Sequence, residues 1–273
     1  MFDREQYIKN RLQEHYDEAC SLGHEIFCVV LQGSQNYNLD IYSDEYKSDI
    51  DTKAIILPSF EDFCKGTAPV STTYVRANNE HIDIKDIRVM FETFKKQNIN
   101  FVEVLFSRYY IVPEKYKTYW DELRRLGEAI THCHPAQTLK TMAGLSYEKH
   151  KALCHPYPSI IDKIEKYGYD GKQLHHIMRI NVFIKNYLKG LPFADCLISR
   201  TEEELSSCLD AKLNKFPLES AKEMAARIDE ENRILKDSYI EQHGTEIVNA
   251  EPYNKLDKIK IDVLRQWFKE QLK

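Results

Sequence analysis

Apolar and polar residues do not keep one rhythm along this chain, and the change of rhythm divides it. The opening stretch, MFDREQYIKNRLQEHYDEAC, places Tyr7, Ile8, Leu12 and Tyr16 on one side of a charged helix. Residues 25–33, EIFCVVLQG, form an apolar run that stops at a glycine, the pattern of a buried strand. Residues 48–57, SDIDTKAIIL, predict a second strand ended by Pro58. Residues 71–75 predict a third, and residues 81–86, HIDIKD, alternate apolar and charged positions as a fourth. Asp86 is placed to cap a helix with Ile87, Met90, Phe91 and Phe94 on one face. Residues 98–106, NINFVEVLF, read as an apolar strand or a short helix.

From about Pro113 the strand signals vanish. Helical patterns cover 114–130, 135–153, 172–188, 218–240 and 256–272, with turn chemistry at HPYPS (155–159) and YGYDG (167–171). The pattern therefore predicts an α+β chain: a mixed-sheet domain over residues 1–112, then an all-helical domain over 113–273.

Composition narrows the class without naming a function. With 273 residues, 42% hydrophobic and 30% charged, the chain has the make-up of a soluble globular protein of one large or two modest domains. The net charge of −5 gives no global basic field to attract nucleic acid, although a local basic groove is compatible with it. Seven scattered cysteines fit reduced thiols, and the opening residues have neither a signal-peptide nor a transit-peptide composition. No apolar run is long enough to span a bilayer. The expected location is the cytoplasm, with no membrane partner.

The chemistry is concentrated in a few positions. On a strand, residues i and i+2 face the same way, so Asp49 and Asp51 project together while Ile50 enters the core. Two carboxylates ~4 Å apart repel by about 4 kcal/mol at an effective dielectric near 20. Such a pair shares a proton or holds a cation, and oxygen-only ligands suit Mg²⁺ or Mn²⁺. Asp83, between Ile82 and Ile84 on its own strand, is placed to give a third carboxylate. Gly33 lets the backbone approach a ligand closely, and amides after it, with the Ser34 hydroxyl, can cradle phosphate oxygens. Asn36, Tyr37 and Asn38 would lie near a bound nucleotide. Further along, Lys172, His176 and Arg179 fall in one narrow helical stripe, with Leu174, Ile177, Met178, Ile184 and Leu188 on the opposite side. That stripe can hold the β- and γ-phosphates of a triphosphate. The group His132, Cys133 and His134, with Cys154 and His155 later, lacks zinc-ligand spacing and reads as helix-end residues.

A strand, Gly33-Ser34, a spacer, Asp49-x-Asp51 on a second strand and Asp83 on a later one resemble the DNA polymerase β-like nucleotidyltransferase superfamily. The resemblance implies a mixed sheet with helices on one face and two-metal transfer of a nucleoside monophosphate from a nucleoside triphosphate. It implies Gly33 and Ser34 as the phosphate-binding pair and Asp49, Asp51 and Asp83 as the metal ligands. The entry Tyr169-Asp170-x-Lys172, the Lys-x-x-x-His-x-x-Arg stripe, and Asn100 and Glu103 resemble a narrower branch, predicted nucleotidyltransferases linked to RNA repair. That branch implies an RNA 3′ end as acceptor. A protein or small-molecule hydroxyl is the alternative acceptor, and a catalytically silent nucleotide-binding module is the alternative of a different class.

Overall fold

The chain is described by a computed structural model, in which residues 2–44 and 46–273 are described. Helix α1 (Arg4–Ser21) is capped by Asp3, whose side chain accepts from the Gln6 amide, and it buries Ile8, Leu12 and Ala19. Strand β1 (Glu25–Gln32) leads into a 3₁₀ turn (Ser34–Tyr37) and, after a loop, β2 (Asp51–Leu57). Helix α2 (Phe60–Lys65), β3 (Ser71–Val75), β4 (His81–Asp86) and α3 (Ile87–Lys95) follow. The NINFVEVLF segment is α4 (Ile99–Val102) running into a 3₁₀ turn (Glu103–Phe106), and the short β5 (Tyr110–Ile111) comes next. Then come α5 (Lys117–Arg125), α6 (Gly127–His132), α7 (Pro135–Ala152), α8 (Ile161–Tyr167) and α9 (Gly171–Leu188). The chain continues through α10 (Phe193–Ile198), α11 (Glu202–Lys212), α12 (Leu218–His243) and α13 (Glu251–Gln271).

The sheet has five strands in the order β3-β4-β2-β1-β5. Only β2 and β4 run parallel; the other neighbours are antiparallel. Alternation assigns the faces. Val29, Leu31, Ala54, Ile56, Ile82 and Ile84 join Ile8, Leu12 and Ala19 of α1 in one core. On the other face Phe27 meets Tyr116 and Trp120, with ring centroids 5.7 and 6.1 Å away, and Lys53 lies over Phe101. The sheet is thus covered on both faces rather than one, because β1 and β2 are buried at nearly every position and not at alternate ones. Each fully buried large side chain here contributes roughly 1.5–3 kcal/mol over its exposed state.

The chain divides into two compact units, residues 1–133 with 249–273, and residues 134–248. The change in composition near residue 112 does not mark this division. Helix α5 buries Trp120 and Leu123 in the sheet unit. Helix α13 returns to it as well: Trp267 Nε1 donates to the Pro58 carbonyl (2.9 Å), and Asp257 accepts from Lys95 (2.7 Å). A helical pattern shows which face of a helix is apolar, not which core receives it. Among the described residues no helix is long and apolar enough to cross a membrane.

In the helical unit α9 is central, packed by α7, α10, α11 and α12. It is not anchored by one face with its cations in solvent. Twelve of its residues are buried, among them His175, Arg179 and Asn181. Asn181 donates to Asn232 (2.8 Å), Asn232 to Ser146 (3.0 Å) and Ser146 to Asp229 (2.9 Å), a polar chain that fixes α7, α9 and α12 in register.

Candidate functional site

The two halves of the strand signature meet at one end of the sheet. In the β1–β2 register Gln32 stands opposite Asp51, so Gly33 leaves β1 beside the start of β2. The loop between them is stapled down. Gln35 Nε2 donates to the Asp49 carbonyl (2.7 Å) and lies 3.1 Å from the Tyr42 hydroxyl; the Ser48 amide donates to the Ile41 carbonyl (2.8 Å), and the Ile41 amide to Ser48 Oγ (2.9 Å). Gly33 has φ 96° and ψ −154°, a region only glycine enters readily, and this is the physical reason for a glycine at the strand exit.

Asp49 is exposed just before β2, Ile50 is fully buried, and Asp51 is the first, half-buried residue of the strand. Asp51 Oδ1 accepts from the His81 amide (2.9 Å) and lies 3.2 Å from His81 Nδ1. Glu80, buried beneath, turns Oε1 toward the Ile50 amide (3.4 Å). Its other oxygen takes Arg11, Arg76 (3.2 Å) and His15 Nε2 (3.0 Å). Burial pushes the Glu80 carboxyl up, but these donors outweigh it and hold the group at about 2. The residue between the two aspartates is thus held by its backbone to an anchor that is charged at neutral pH.

Asp83 shares the sheet face of Asp51 but not its surroundings. Lys53 stands directly opposite it in the parallel β2–β4 register and places Nζ 2.9 Å from Asp83 Oδ2. Thr73 of β3 donates to Oδ1 (2.5 Å). Burial pulls the Lys53 ammonium below its ordinary value, and Asp83 offsets this only in part. Burial pushes the Asp83 carboxyl up, yet Lys53 and Thr73 outweigh it and leave it below the usual carboxylate range. Among the described residues there is no group of three His, Cys, Asp or Glu side chains that could hold a metal ion. Of the three expected carboxylates, Asp83 is ion-paired with Lys53. Asp49 and Asp51, carboxylate oxygen donors at a strand edge, are of the kind a hard divalent cation takes; both oxygens of Asp83 are engaged by Lys53 and Thr73.

The other expected contacts have mixed surroundings. Ser34, half-buried, opens the 3₁₀ turn. The Gly33 amide donates to Glu103 Oε1 (3.3 Å), which gives Glu103 a role in holding the turn and occupies one amide expected to face phosphate. Asn36 donates to the Leu31 carbonyl (2.9 Å) and accepts from Ser107 (2.8 Å), so it fastens the loop to the segment that follows α4. Tyr37 is buried in the core.

In the helical unit Asp170 caps α9, accepting from the Lys172 amide (3.1 Å) and Gln173 Nε2 (2.9 Å), while the buried Tyr169 donates its hydroxyl to the Phe216 carbonyl (2.9 Å). The Tyr-Asp-x-Lys entry thus has a structural explanation in this chain. Arg179 is only 2% exposed. Burial takes the His176 imidazole well below its ordinary value, with the Arg179 charge adding to the effect, so the ring is neutral at pH 7. His176 Nδ1 is buried without a hydrogen-bond partner. Neighbouring His175 is likewise drawn down to about 3 by burial while donating to the Cys208 carbonyl (2.9 Å). Burial also lowers Lys149 of α7, and the charges of Lys172 and Arg179 add to this. The group of basic side chains is therefore wider than the α9 stripe, with Glu148 and Asp170 as its acidic neighbours.

Sequence reasoning missed His81, Lys53 and Lys149, and saw Glu80 only as a neighbour that could be mistaken for Asp83. Lys53 had a signal in the strand alternation itself, as the next same-face residue after Asp51. Lys149 had none, since it comes from another helix. His132 Nδ1 lies 2.9 Å from the Glu128 carbonyl and Cys133 Sγ donates to the Ile130 carbonyl (3.1 Å), the satisfied helix-end contacts expected of them. No family model matches the chain, and no curated protein is significantly similar to it.

Proposed function

We propose that the chain is a metal-dependent nucleotidyltransferase that moves a nucleoside monophosphate from a nucleoside triphosphate to an acceptor hydroxyl. One observation carries the reading: the register of Gln32 with Asp51 and the Gln35–Asp49 bond bring a glycine-serine turn against an Asp-x-Asp pair. In this reading Asp49 and Asp51 hold Mg²⁺ or Mn²⁺, which when bound offsets triphosphate charge and makes the attacking hydroxyl easier to deprotonate. Ser34 contacts phosphate from the turn. His81 and Glu80 orient the Asp-x-Asp segment through Asp51 and the Ile50 amide. In the helical unit Lys149, Lys172 and Arg179 are the candidates for binding phosphate, with His176 as a neutral donor. An RNA 3′ hydroxyl is the favoured acceptor, on the strength of the Tyr169-Asp170-x-Lys172 and Glu103 resemblances; a protein or small-molecule hydroxyl is the alternative. The expected location remains the cytoplasm.

A second reading, nucleotide binding without transfer, is favoured by the ion pairing of Asp83, which removes one carboxylate from the expected metal set. One experiment separates the two. The purified chain is incubated with labelled nucleoside triphosphates, Mg²⁺ or Mn²⁺, and a pool of RNA, protein and small-molecule acceptors. Transfer is expected to be metal-dependent, and Asp51→Asn to lower it at least about 10³-fold, about 4 kcal/mol of barrier, at unchanged Tm. A fully active Asp51→Asn protein overturns the assignment, and metal-dependent binding with no labelled product supports the second reading.

A further inference from the structure

We propose that Lys53 is a built-in cation that takes the charge position beside Asp83, so that the Asp-x-Asp end of the sheet binds a single divalent ion rather than a pair. The inference rests on the reading that Asp49 and Asp51 hold such an ion. It starts from strand alternation: Asp51 and Lys53 share a sheet face, and so do His81 and Asp83 on the parallel neighbour. The register sets Lys53 directly opposite Asp83, so the lysine stem is fixed by backbone pairing and not by a mobile loop. Its ammonium lies 2.9 Å from Asp83 Oδ2 and 4.1 Å from the centroid of the Phe101 ring. The ring face favours a cation at that spot. The Lys53 side chain is 3% exposed and the Asp83 side chain 20%.

Three consequences follow from charge alone. Asp83 is already neutralised by a fixed monovalent charge, so the repulsion that would call for a third-ligand metal is absent. A second divalent ion sharing Asp83 would have to break the contact with Lys53 and leave an ammonium buried beside two added positive charges. Thr73 holds the remaining Asp83 oxygen, which restricts rotation of the carboxylate toward Asp51. A two-metal centre sets its ions ~3.5–4 Å apart, and Lys53 holds the Asp83 oxygen that a second ion would draw on.

The test counts ions on the full chain and does not depend on turnover. Mn²⁺ is titrated into the wild-type protein with a non-hydrolysable α,β-methylene analogue of ATP; bound metal is measured by equilibrium dialysis and its surroundings by electron paramagnetic resonance. One Mn²⁺ per chain with the signal of an isolated ion is expected. Two ions, or a spin-coupled pair, overturns the role of Lys53 and leaves the nucleotidyltransferase reading standing. No bound Mn²⁺ overturns that reading, and the inference falls with it. Lys53→Met is expected to raise the count to two, and Lys53→Met with Asp83→Asn to return it to one. A folded Lys53→Met protein whose count stays at one overturns the proposal. Should Lys53→Met not fold, the wild-type count and the presence or absence of coupling decide.

Discussion

The carboxylate cluster of the sheet unit and the cation cluster of the helical unit are built in opposite ways. Asp49 and Asp51 stand at the open end of a strand, where one is exposed and the other half-buried. Their positions come from backbone contacts: a carbonyl held by Gln35, an amide held by Glu80, and the strand pairing itself. Lys172, His176 and Arg179 come from one helix of a packed bundle, where helix geometry aligns them, Arg179 is buried and burial takes the His176 imidazole well below its ordinary value. A strand edge leaves its acids near water. A helix core keeps basic groups close together only at a continuing electrostatic cost, which an anion would relieve.

The contrast can be broken experimentally, and the largest effect is the loss of transfer in Asp51→Asn, since it removes a charge and keeps the acceptor oxygen that binds the His81 amide. Next comes Glu80→Gln. It removes the buried carboxylate that Arg11 and Arg76 share, while Arg11 keeps Glu14 and Arg76 keeps Glu14 and Glu18, and is expected to lower the unfolding free energy by about 2–3 kcal/mol, read by denaturant titration. The wild-type protein should show the same anchor as an acid limb. The Glu80 carboxyl is held from its ordinary 4.5 down to about 2, so its stabilisation is complete above pH 4.5 and is lost as the pH falls through 2. Glu80→Gln should flatten that limb, and an unchanged acid transition would contradict the anchor role.

Gly171→Ala sharpens the other side of the comparison. A Cβ at Gly171 would lie 2.1 Å from the Ala211 carbonyl oxygen, so α9 and α11 must separate. A loss of about 2 kcal/mol is expected from thermal unfolding, together with weaker binding of tripolyphosphate if the cation cluster depends on that packing. The smallest effect on stability is assigned to Gly33→Ala. It forces alanine into a glycine-only region and is expected to cost about 1–2 kcal/mol, with a larger proportional loss of nucleotide affinity because the turn itself moves. A Gly33→Ala protein with unchanged affinity would separate the turn from the nucleotide site.

How much of this was legible in the sequence depends on the range of the interaction. Four strands, the Asp86 cap and the apolar face of α3 were legible because each is local: alternation, a capping side chain and a helical period. Asp49 and Asp51 flanking a buried Ile50 follows from the same alternation. Strand β5 was not visible, because two residues carry no period. Nor was the place of α13, because its partners Pro58 and Lys95 are remote in sequence. The stripe on α9 was found correctly by angle, but its burial was not, because α7, α11 and α12 cover a face that an isolated helix would leave wet. Asp83 teaches the same lesson in small: its spacing suggested a ligand, and the register with Lys53 adds a counter-ion that no local pattern shows.

Helix α13 carries a consequence for biosynthesis. In sequence the helical unit interrupts the sheet unit, so the last element of the sheet unit is translated only after all of residues 134–248. Until then the Pro58 carbonyl lacks Trp267, and Lys95 lacks Asp257. The helical unit is contiguous in sequence, whereas the unit bearing the aspartates needs two segments that flank it. The sheet unit is then complete only in chains that have been made through to α13.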